Sequence, residues 1–328
     1  MTFNARYTLL WLLLVMVSIL SLVLGAGSSG IGDAFAVLAG QGSDEVRFMV
    51  TELRLPRLLI GLVSGLALGV SGALLQTLTR NPLAEPGMLG VSAGSAFAVA
   101  LAILMGASTA TLTTLVAQTG ALAGCVLVLA ATRIGGVGQD PVRLVLAGAT
   151  LTGLLLSLTS LLMLIDQRAA DEIRFWITGS IAGKRWDQLT ATLPSLVLAS
   201  ALVLWVVRPL ASLALGEKVA SGLGHRPEII RLLVILAVAL LVGAATALAG
   251  PLVFVGLVVP FVARALGGAD IRKTLWFCVP IGPTVIIAAD TLSRLLVRPS
   301  ELPLGVITAL IGAPVLMLIV RSRRIPTL

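Results

Sequence analysis

The chain has 328 residues, of which 58% are hydrophobic and only 12% are charged, whereas a soluble domain carries about 25% charged residues. This composition excludes a soluble globular protein and predicts a chain that is embedded in lipid. The formal net charge of +8 does not indicate nucleic-acid binding, because the basic residues stand in small groups between apolar runs and form no basic cluster with interleaved aromatic residues.

Apolar runs separated by charged residues, glycine and proline predict about ten membrane-spanning helices in one continuous domain, residues 1–328. The predicted spans are 8–26, 56–78, 91–106, 112–132, 142–165, 190–208, 230–249, 251–265, 275–296 and 304–320. The run at 251–265 is too short to cross a membrane alone, so a broken or tilted span is predicted after Gly250 and Pro251. A cleaved signal peptide is an alternative for the first run, because it follows Arg6 and ends in small residues.

An even number of spans leaves both termini on one side of the membrane, and more lysine and arginine residues fall on that side than on the outer one. The positive-inside rule therefore predicts that both termini are cytoplasmic. The outer basic residues indicate either a surface that docks an acidic partner or side chains that extend along helix ends beside nearby acids. They are Arg47, Arg54, Arg57, Arg168, Arg174, Lys184, Arg185, Arg294 and Arg298.

The second predicted span carries a stripe of small residues. Glycine recurs at every fourth position from Gly61 through Gly65 to Gly69, with Ser64 among them. Small residues at this spacing let a neighbouring helix, or a passing solute, approach the backbone closely. The stripe therefore indicates either helix packing or the wall of a path, and both interpretations stay open.

An irregular segment follows the second span, at residues 80–87. Pro82, Pro86 and Gly87 do not allow a continuous helix there. Irregular backbone inside a membrane needs protein or water around its polar groups. The segment indicates either an ordinary reverse loop or a specified backbone that is enclosed by the bundle.

The longest cytoplasmic loop, residues 208–231, contains a short amphipathic helix candidate bounded by glycines. Its residues include Leu215, Gly216, Glu217, Ser221, Gly222 and Gly224. A helix of this size at the membrane surface indicates either a handle for a cytosolic partner or interfacial packing.

Sequence signatures of an enzyme are missing. The nearest match to a phosphate-binding loop, residues 179–185, lacks the required spacing and the Ser or Thr. One histidine and two distant cysteines cannot form a zinc site. Asp290 is the one acid well inside a predicted span, and Arg294 one turn later is expected to neutralise it. We therefore expect no catalytic residue and no metal, and an ion-coupled transporter stays a weaker alternative.

A series of motifs runs in one order along nearly the whole chain. It comprises residues 54–57 (Arg-Leu-Pro-Arg), 76–94, 215–217 (Leu-Gly-Glu), 250–251 (Gly-Pro), 254–260, 289–290 (Ala-Asp), 301–303 (Glu-Leu-Pro) and 312–314 (Gly-Ala-Pro). In this order the motifs resemble the FecCD-type permeases of ATP-binding-cassette (ABC) importers for iron-siderophores, haem and cobalamin. One departure is Phe261, where many relatives have histidine.

The resemblance implies an all-α permease with the type II ABC importer fold, about ten spans and a second permease subunit, identical or related. Two cytosolic ATP-binding subunits would use ATP and Mg²⁺, so this chain itself needs no cofactor. An extracytoplasmic solute-binding protein would deliver the solute. The resemblance places its docking contacts at Arg54, Arg57 and Arg294, and it places the contact with the ATP-binding subunits at the short helix within 208–231.

The resemblance also favours a ferric siderophore as the solute, because residues 77–80 look more like siderophore members than cobalamin members. Haem and cobalamin stay alternatives. The location implied is the bacterial inner membrane. The hypothesis of a central path assigns its lining to Gly61, Ser64, Gly65, Gly69, Gln76, Asn81 and Pro82.

Overall fold

The computed structural model describes residues 3–24, 43–107, 112–134, 141–297 and 300–321. Within these ranges the chain is built of helices and contains no strand. The α-helices are α1 (Phe3–Val23), α2 (Asp44–Phe48), α3 (Leu55–Thr79), α4 (Val91–Leu104), α5 (Leu112–Ile134), α6 (Pro141–Leu162), α7 (Gln167–Ile177), α8 (Trp186–Ala214), α9 (Glu217–Gly222), α10 (Pro227–Ala249), α11 (Val255–Gly267), α12 (Ile271–Leu296) and α13 (Leu304–Arg321). A π-helix, Met49–Arg54, joins α2 to α3, and a 3-10 helix, Pro86–Leu89, precedes α4.

Each predicted span coincides with a helix. Seven helical stretches of the described chain are long and apolar enough to cross a membrane, and the other three predicted spans coincide with the shorter apolar helices α4, α11 and α13. The prediction that 251–265 cannot cross alone is confirmed, since α11 has 13 residues. The prediction of a full span at 91–106 is wrong, because α4 has only 14 residues and a crossing takes about 20.

The long helices run between two ends of the bundle. At the N-terminal end, where α1 begins, Nη1 of Arg6 donates to the carbonyl oxygen of Leu266 in the last turn of α11 at 3.0 Å. At the opposite end, Nη1 of Arg294 in α12 donates to the carbonyl oxygen of Leu24 at 2.8 Å. Because α12 begins just after α11, α1 and α12 run side by side in the same direction.

The centre of the bundle is formed by α3, α10 and α12. The buried fraction of the most apolar part of each helix shows this: it is 83% in α10, 72% in the stretch that contains α3 and 61% in α12. In α1 and α6 the buried fraction is only 17%. The central helices are therefore covered by their own chain, whereas α6 presents most of its surface to lipid or to another subunit.

Two helices begin inside the bundle rather than at one of its ends. Phe254, which precedes α11, lies beside Gly312 in the middle of α13, and Gly90, which precedes α4, lies beside Gly124 in the middle of α5. Both residues have left-handed backbones, with φ values of 68° and 73°. The segment that leads to α4 is only partly enclosed by protein, because Ala84 and Pro86 are buried whereas Leu83 is exposed. Its backbone forms no continuous α-helix, so the irregular backbone predicted at residues 80–87 is confirmed.

Candidate functional site

Arg57, in the first turn of α3, binds two carboxylates at the opposite end of the bundle. One edge of its guanidinium donates to Asp290 of α12, with Nε 3.0 Å and Nη2 2.7 Å from Oδ1. The other edge donates to Glu301, with Nη1 3.1 Å from Oε1 and Nη2 2.8 Å from Oε2. Paired hydrogen bonds of this kind give arginine its strongest and most directional ion pairs. One side chain thus joins α3 to α12 and to the segment that precedes α13.

Arg54 and Arg294 bind the end of α1. Their Nη1 atoms donate at 2.7 to 3.1 Å to the carbonyl oxygens of Ser21, Leu22, Val23 and Leu24. The last carbonyl groups of a helix have no partner within it and carry partial negative charge, so cations are favourable there. The two arginines therefore cap α1.

Asp290 is shared by two arginines. Besides its hydrogen bonds with Arg57, its Oδ2 lies 3.1 Å from Nη2 of Arg294, which confirms the predicted pair one helical turn apart. The side chain of Asp290 is only 3% exposed. A buried carboxylate that binds two guanidinium groups joins α3 to α12 through one shared negative charge, which indicates a structural role.

The structure brings together the three arginines that the sequence assigned to docking, but it does not expose them. Arg54 is 7% exposed and Arg294 is 3% exposed, while the side chain of Arg57 is 13% exposed. The expectation of an open basic face formed by all three is therefore wrong, because the end of α1 and two carboxylates cover their charges. A further outer arginine of the sequence analysis, Arg298, lies outside the described residues. The docking role itself stays a prediction.

The glycine stripe of α3 packs against helices of the same chain. A Cβ atom on Gly65 would overlap the carbonyl oxygen of Gly282 in α12, and one on Gly69 would lie 2.8 Å from Cγ1 of Val259 in α11. The predicted path residues that are buried in this way are Gly61, Ser64, Gly65, Gly69 and Gln76. Assigning them to an open path is therefore wrong for this conformation. Helix packing, the other interpretation, accounts for the stripe.

The remaining predicted path residues lie near the N-terminal end of the bundle. Asn81 is exposed, and its Oδ1 accepts a hydrogen bond from the backbone N–H of Leu83 at 2.9 Å. Pro82 is half-buried. Nε2 of the buried Gln76 donates to the carbonyl oxygen of Leu257 at 3.3 Å, so that this side chain ties α3 to α11.

Glu85 joins the irregular segment to a half-helix, and sequence reasoning did not single it out. Its Oε1 accepts a hydrogen bond from the backbone N–H of Phe254 at 3.0 Å, directly before α11. The first N–H groups of a helix lack partners and carry partial positive charge, so a carboxylate there is favourable. Pro86 packs on Gly256 in the first turn of the same helix. Nothing in the sequence indicates that two segments so far apart meet.

Glu85→Ala is expected to lower the free energy of unfolding by about 1 to 2 kcal/mol, because the N–H of Phe254 loses its acceptor inside the bundle. The midpoint of thermal unfolding of the purified protein in detergent measures this effect. Glu85→Gln keeps an acceptor oxygen and is the matched control. Equal destabilisation by both variants would contradict the capping role.

The short helix predicted in the cytoplasmic loop is present as α9, Glu217–Gly222. Gly216, with φ 132°, and Gly224, with φ 81°, bound it in backbone conformations that favour glycine. Ala220 is buried, whereas most other residues of α9 are exposed and the preceding Leu215 is 76% exposed. Ala220 is thus the one buried residue of this helix, which presents most of its surface outward.

The connection around α9 is shorter than the predicted loop 208–231, because α8 continues to Ala214 and α10 begins at Pro227. An open pocket of about 570 Å³ lies beside α9. Its lining includes Glu217, Ser221, His225, Arg226, Glu228 and Arg231. An ion pair between Glu217 and Arg231 attaches α9 to α10. An exposed polar helix with an adjoining pocket suits contact with a partner protein.

A polar stripe on α6 was missed by the sequence analysis. Thr150, Gly153, Ser157 and Ser160 are exposed and lie on one face of this peripheral helix. Each hydroxyl donates to a carbonyl oxygen of the preceding turn at 2.9 Å. Small and hydroxyl residues are typical of surfaces where transmembrane helices meet protein rather than lipid. Their alternating spacing of three and four residues was the signal available in the sequence.

Comparison with known proteins identifies the family. A model of the FecCD transport family matches residues 13–322. The chain belongs to this family. The ferric enterobactin transport system permease protein FepD of Escherichia coli (strain K12) is 42% identical to it over 315 residues, which cover 96% of this chain and 94% of that protein. The Fe(3+)-citrate import system permease protein YfmD of Bacillus subtilis (strain 168) is 36% identical over 306 residues, 93% of this chain and 91% of that protein.

Solved structures agree with the family. The chain is similar to a metal-chelate type ABC transporter in an inward-facing conformation, with a TM-score of 0.85, 32% identity and coverage of 97% of this chain and 99% of that one. PsaBC from Streptococcus pneumoniae, solved in complex with Fab, shares the fold, with a TM-score of 0.61 and 14% identity over 87% of this chain and 94% of that one. The all-α permease fold is therefore confirmed. As a FecCD member, the chain is a membrane permease of an ABC importer and not an enzyme, and ATP hydrolysis lies with separate subunits.

Proposed function

We propose that the chain carries a ferric siderophore across the bacterial inner membrane. The observation that carries this proposal is similarity, over 96% and 93% of the chain, to permeases named for ferric enterobactin and ferric citrate. A large chelate such as a ferric siderophore is bound by its shape and a few weak contacts. This agrees with a permease that uses small and hydroxyl side chains rather than a charged pocket.

The proposed importer contains two permease subunits, this chain paired with a copy or a relative. Two cytosolic ATP-binding subunits would hold ATP and Mg²⁺, and an extracytoplasmic solute-binding protein would deliver the chelate. The exposed α9 and its pocket are the proposed contact with an ATP-binding subunit. ATP binding to the partner subunit would move α9 and shift the population between outward-open and inward-open states.

Both termini are proposed to lie in the cytoplasm. α1 begins at the N-terminal end of the bundle, and α13 starts at the opposite end, where Gly305 packs on Thr178. α13 therefore ends at the end of the bundle where α1 begins, which is also the end that carries α9. The basic residues at the opposite end do not weigh against this orientation, because Arg54, Arg57 and Arg294 are held by caps and ion pairs within the chain.

The path is proposed to run along the polar stripe of α6 instead of the stripe of α3. A path between two permease subunits has to be lined by residues that their own chain leaves uncovered. Thr150, Gly153, Ser157 and Ser160 meet this condition, and their hydroxyl groups, already bonded to the helix backbone, offer only weak polar contacts to a passing chelate.

Uptake of enterobactin loaded with radioactive iron tests the proposed function. The host cells lack their own permease and express this chain with the ATP-binding and solute-binding genes of the same cluster. We expect uptake that stops when the ATP site of the partner subunit is inactivated. Uptake that continues without the ATP-binding subunit would contradict the proposal and favour an ion-coupled transporter.

Haem is the second candidate solute. The hemin transport system permease protein HmuU of Yersinia pestis is 36% identical over 324 residues, which cover 95% of this chain and 96% of that protein. Haemin, ferric citrate and ferric enterobactin supplied in turn to the same cells separate the candidates. Growth and uptake with haemin, but with neither ferric citrate nor ferric enterobactin, would show that the solute is haem and not a siderophore.

Ser221→Arg tests the role of α9. The side chain is exposed on α9 and lines the pocket, so a large cation there is expected to block the partner surface without disturbing the fold. We expect uptake to fall by about tenfold or more, equivalent to about 1.4 kcal/mol of lost coupling. Co-purification with the ATP-binding subunit measures the contact directly. Ser221→Ala is the matched control, and normal uptake by the arginine variant would contradict a contact at this face.

A further inference from the structure

The two carboxylates that bind Arg57 differ in how solvent reaches them. The side chain of Asp290 is 3% exposed and also binds Arg294 within α12. The side chain of Glu301 is 27% exposed and stands on the segment between α12 and α13. Its only ion pair in the described structure is with Arg57. Asp290 is therefore a fixed partner of Arg57, whereas Glu301 occupies the edge of the guanidinium that lies nearer to solvent.

The backbone on both sides of the Glu301 side chain is held independently of Arg57. The N–H of Leu302 donates to the carbonyl oxygen of Ser293 at 3.3 Å, and the N–H of Gly305 donates to that of Gly179 at 3.3 Å. A rotation of the Glu301 side chain can therefore release Arg57 while the start of α13 stays in place.

The charges of this cluster favour an additional carboxylate. Arg54, Arg57 and Arg294 supply three positive charges, and Asp290 and Glu301 supply two negative ones, so these five side chains carry a net charge of +1. Arg54 and Arg294 are directed at the end of α1, which leaves Arg57 as the arginine that an outside group can reach. An incoming carboxylate that replaced Glu301 would find the same paired donors, Nη1 and Nη2, in place.

The family resemblance assigns Arg57 to docking an acidic side chain of the solute-binding protein, and we propose that Glu301 occupies this contact until the partner displaces it. The inference rests on the proposed function and narrows the three predicted docking arginines to one. Glu301 acts as an internal competitor, so it weakens docking and favours release of the partner after delivery.

Binding of the solute-binding protein to the complete permease and ATP-binding complex in nanodiscs tests the exchange. The probe is the binding protein encoded in the same cluster, titrated against wild type and the variants Glu301→Gln and Glu301→Asp. Glu301→Gln removes the competing charge, and Glu301→Asp keeps the charge but is too short to reach both nitrogen atoms of Arg57. We expect the affinity to rise by about tenfold with glutamine and to a smaller extent with aspartate.

Glu52→Gln is the matched control, because Glu52 is an exposed acid one turn before Arg57 and is not among its ion-pair partners. It makes the same change in net charge, and we expect less than about a twofold effect on affinity. An equal rise with Glu52→Gln would overturn the proposal, because net charge alone would then explain it. The proposal would also be overturned if Glu301→Gln still raised the affinity for the solute-binding protein in an Arg57→Gln background.

Iron uptake by wild type separates this inference from the proposed function. If wild type shows ATP-dependent uptake but neither Glu301 variant changes the affinity, the exchange at Arg57 is wrong and the importer function stands. If wild type shows no such uptake, the proposed function fails first.

Discussion

Gly72→Ala is expected to lower the free energy of unfolding by about 3 kcal/mol, at the upper end of what overpacking costs. A Cβ atom at this position would overlap the carbonyl oxygen of Gly256, and it would lie 2.9 Å from Cγ of Pro260. Moving α3 away from α11 to relieve the overlap would also separate Gly65, which lies on the same face of α3, from Gly282 of α12, where the two backbones are in contact. Thermal unfolding in detergent, followed by tryptophan fluorescence, measures the loss.

Gly153→Ala is the matched control for this prediction. Gly153 also lies in a transmembrane helix, α6, but no described atom lies within 4 Å of a Cβ at this position. We expect its unfolding midpoint to equal or slightly exceed that of wild type, since alanine is the better helix former. Equal losses in the two variants would show that the cost arises from replacing any glycine and not from the contact between α3 and α11.

Asp290→Asn is expected to lower the free energy of unfolding by about 3 to 5 kcal/mol, the range observed when one partner of a buried ion pair is removed. The substitution keeps the shape of the side chain but leaves Arg57 and Arg294 without their shared negative charge. We expect less folded protein in the membrane and a lower midpoint of thermal unfolding. Iron uptake should fall only in proportion to the folded protein that remains.

Glu301→Gln is the control for the loss of one carboxylate from the same cluster. Because Glu301 is partly exposed and Asp290 remains, we expect a loss of less than about 1 kcal/mol. If Asp290→Asn folds normally but abolishes uptake, the carboxylate acts in transport and not in structure. That result would favour the alternative function, an ion-coupled transporter.

The spans could be predicted from the sequence because lipid imposes a minimum length on apolar segments. The same rule identified 251–265 as too short to cross alone, since Gly250 and Pro251 mark its start. It failed at 91–106, where the residues after Gly90 are apolar but the helix starts in the middle of the bundle. The depth at which a helix begins depends on its neighbours, here Gly124 of α5, and a single apolar run contains no information on them.

The candidate sites were predictable in position but not in exposure. Sequence motifs placed Arg54, Arg57 and Arg294 at one end of the bundle, and the structure brings them together. Whether their side chains point outward depends on the end of α1, whose carbonyl oxygens stand far away in the sequence from Arg294. The glycines of α3 posed the same difficulty, because small residues suit both a path and a packed helix. The partners Gly256 and Gly282 decide between the two.

The caps on α1 also set an order for biogenesis. Arg54 lies 31 residues after Val23, whereas Arg294 lies 270 residues after Leu24. A nascent chain can therefore secure the first helix with Arg54 soon after α3 is inserted, but the contacts of Arg294 form only when α12 has left the ribosome. Asp290 and Glu301 arrive at the same late stage. Until then Arg57 stays in the membrane without the two carboxylates that bind it in the finished protein, so the last quarter of translation completes a junction that the first quarter began.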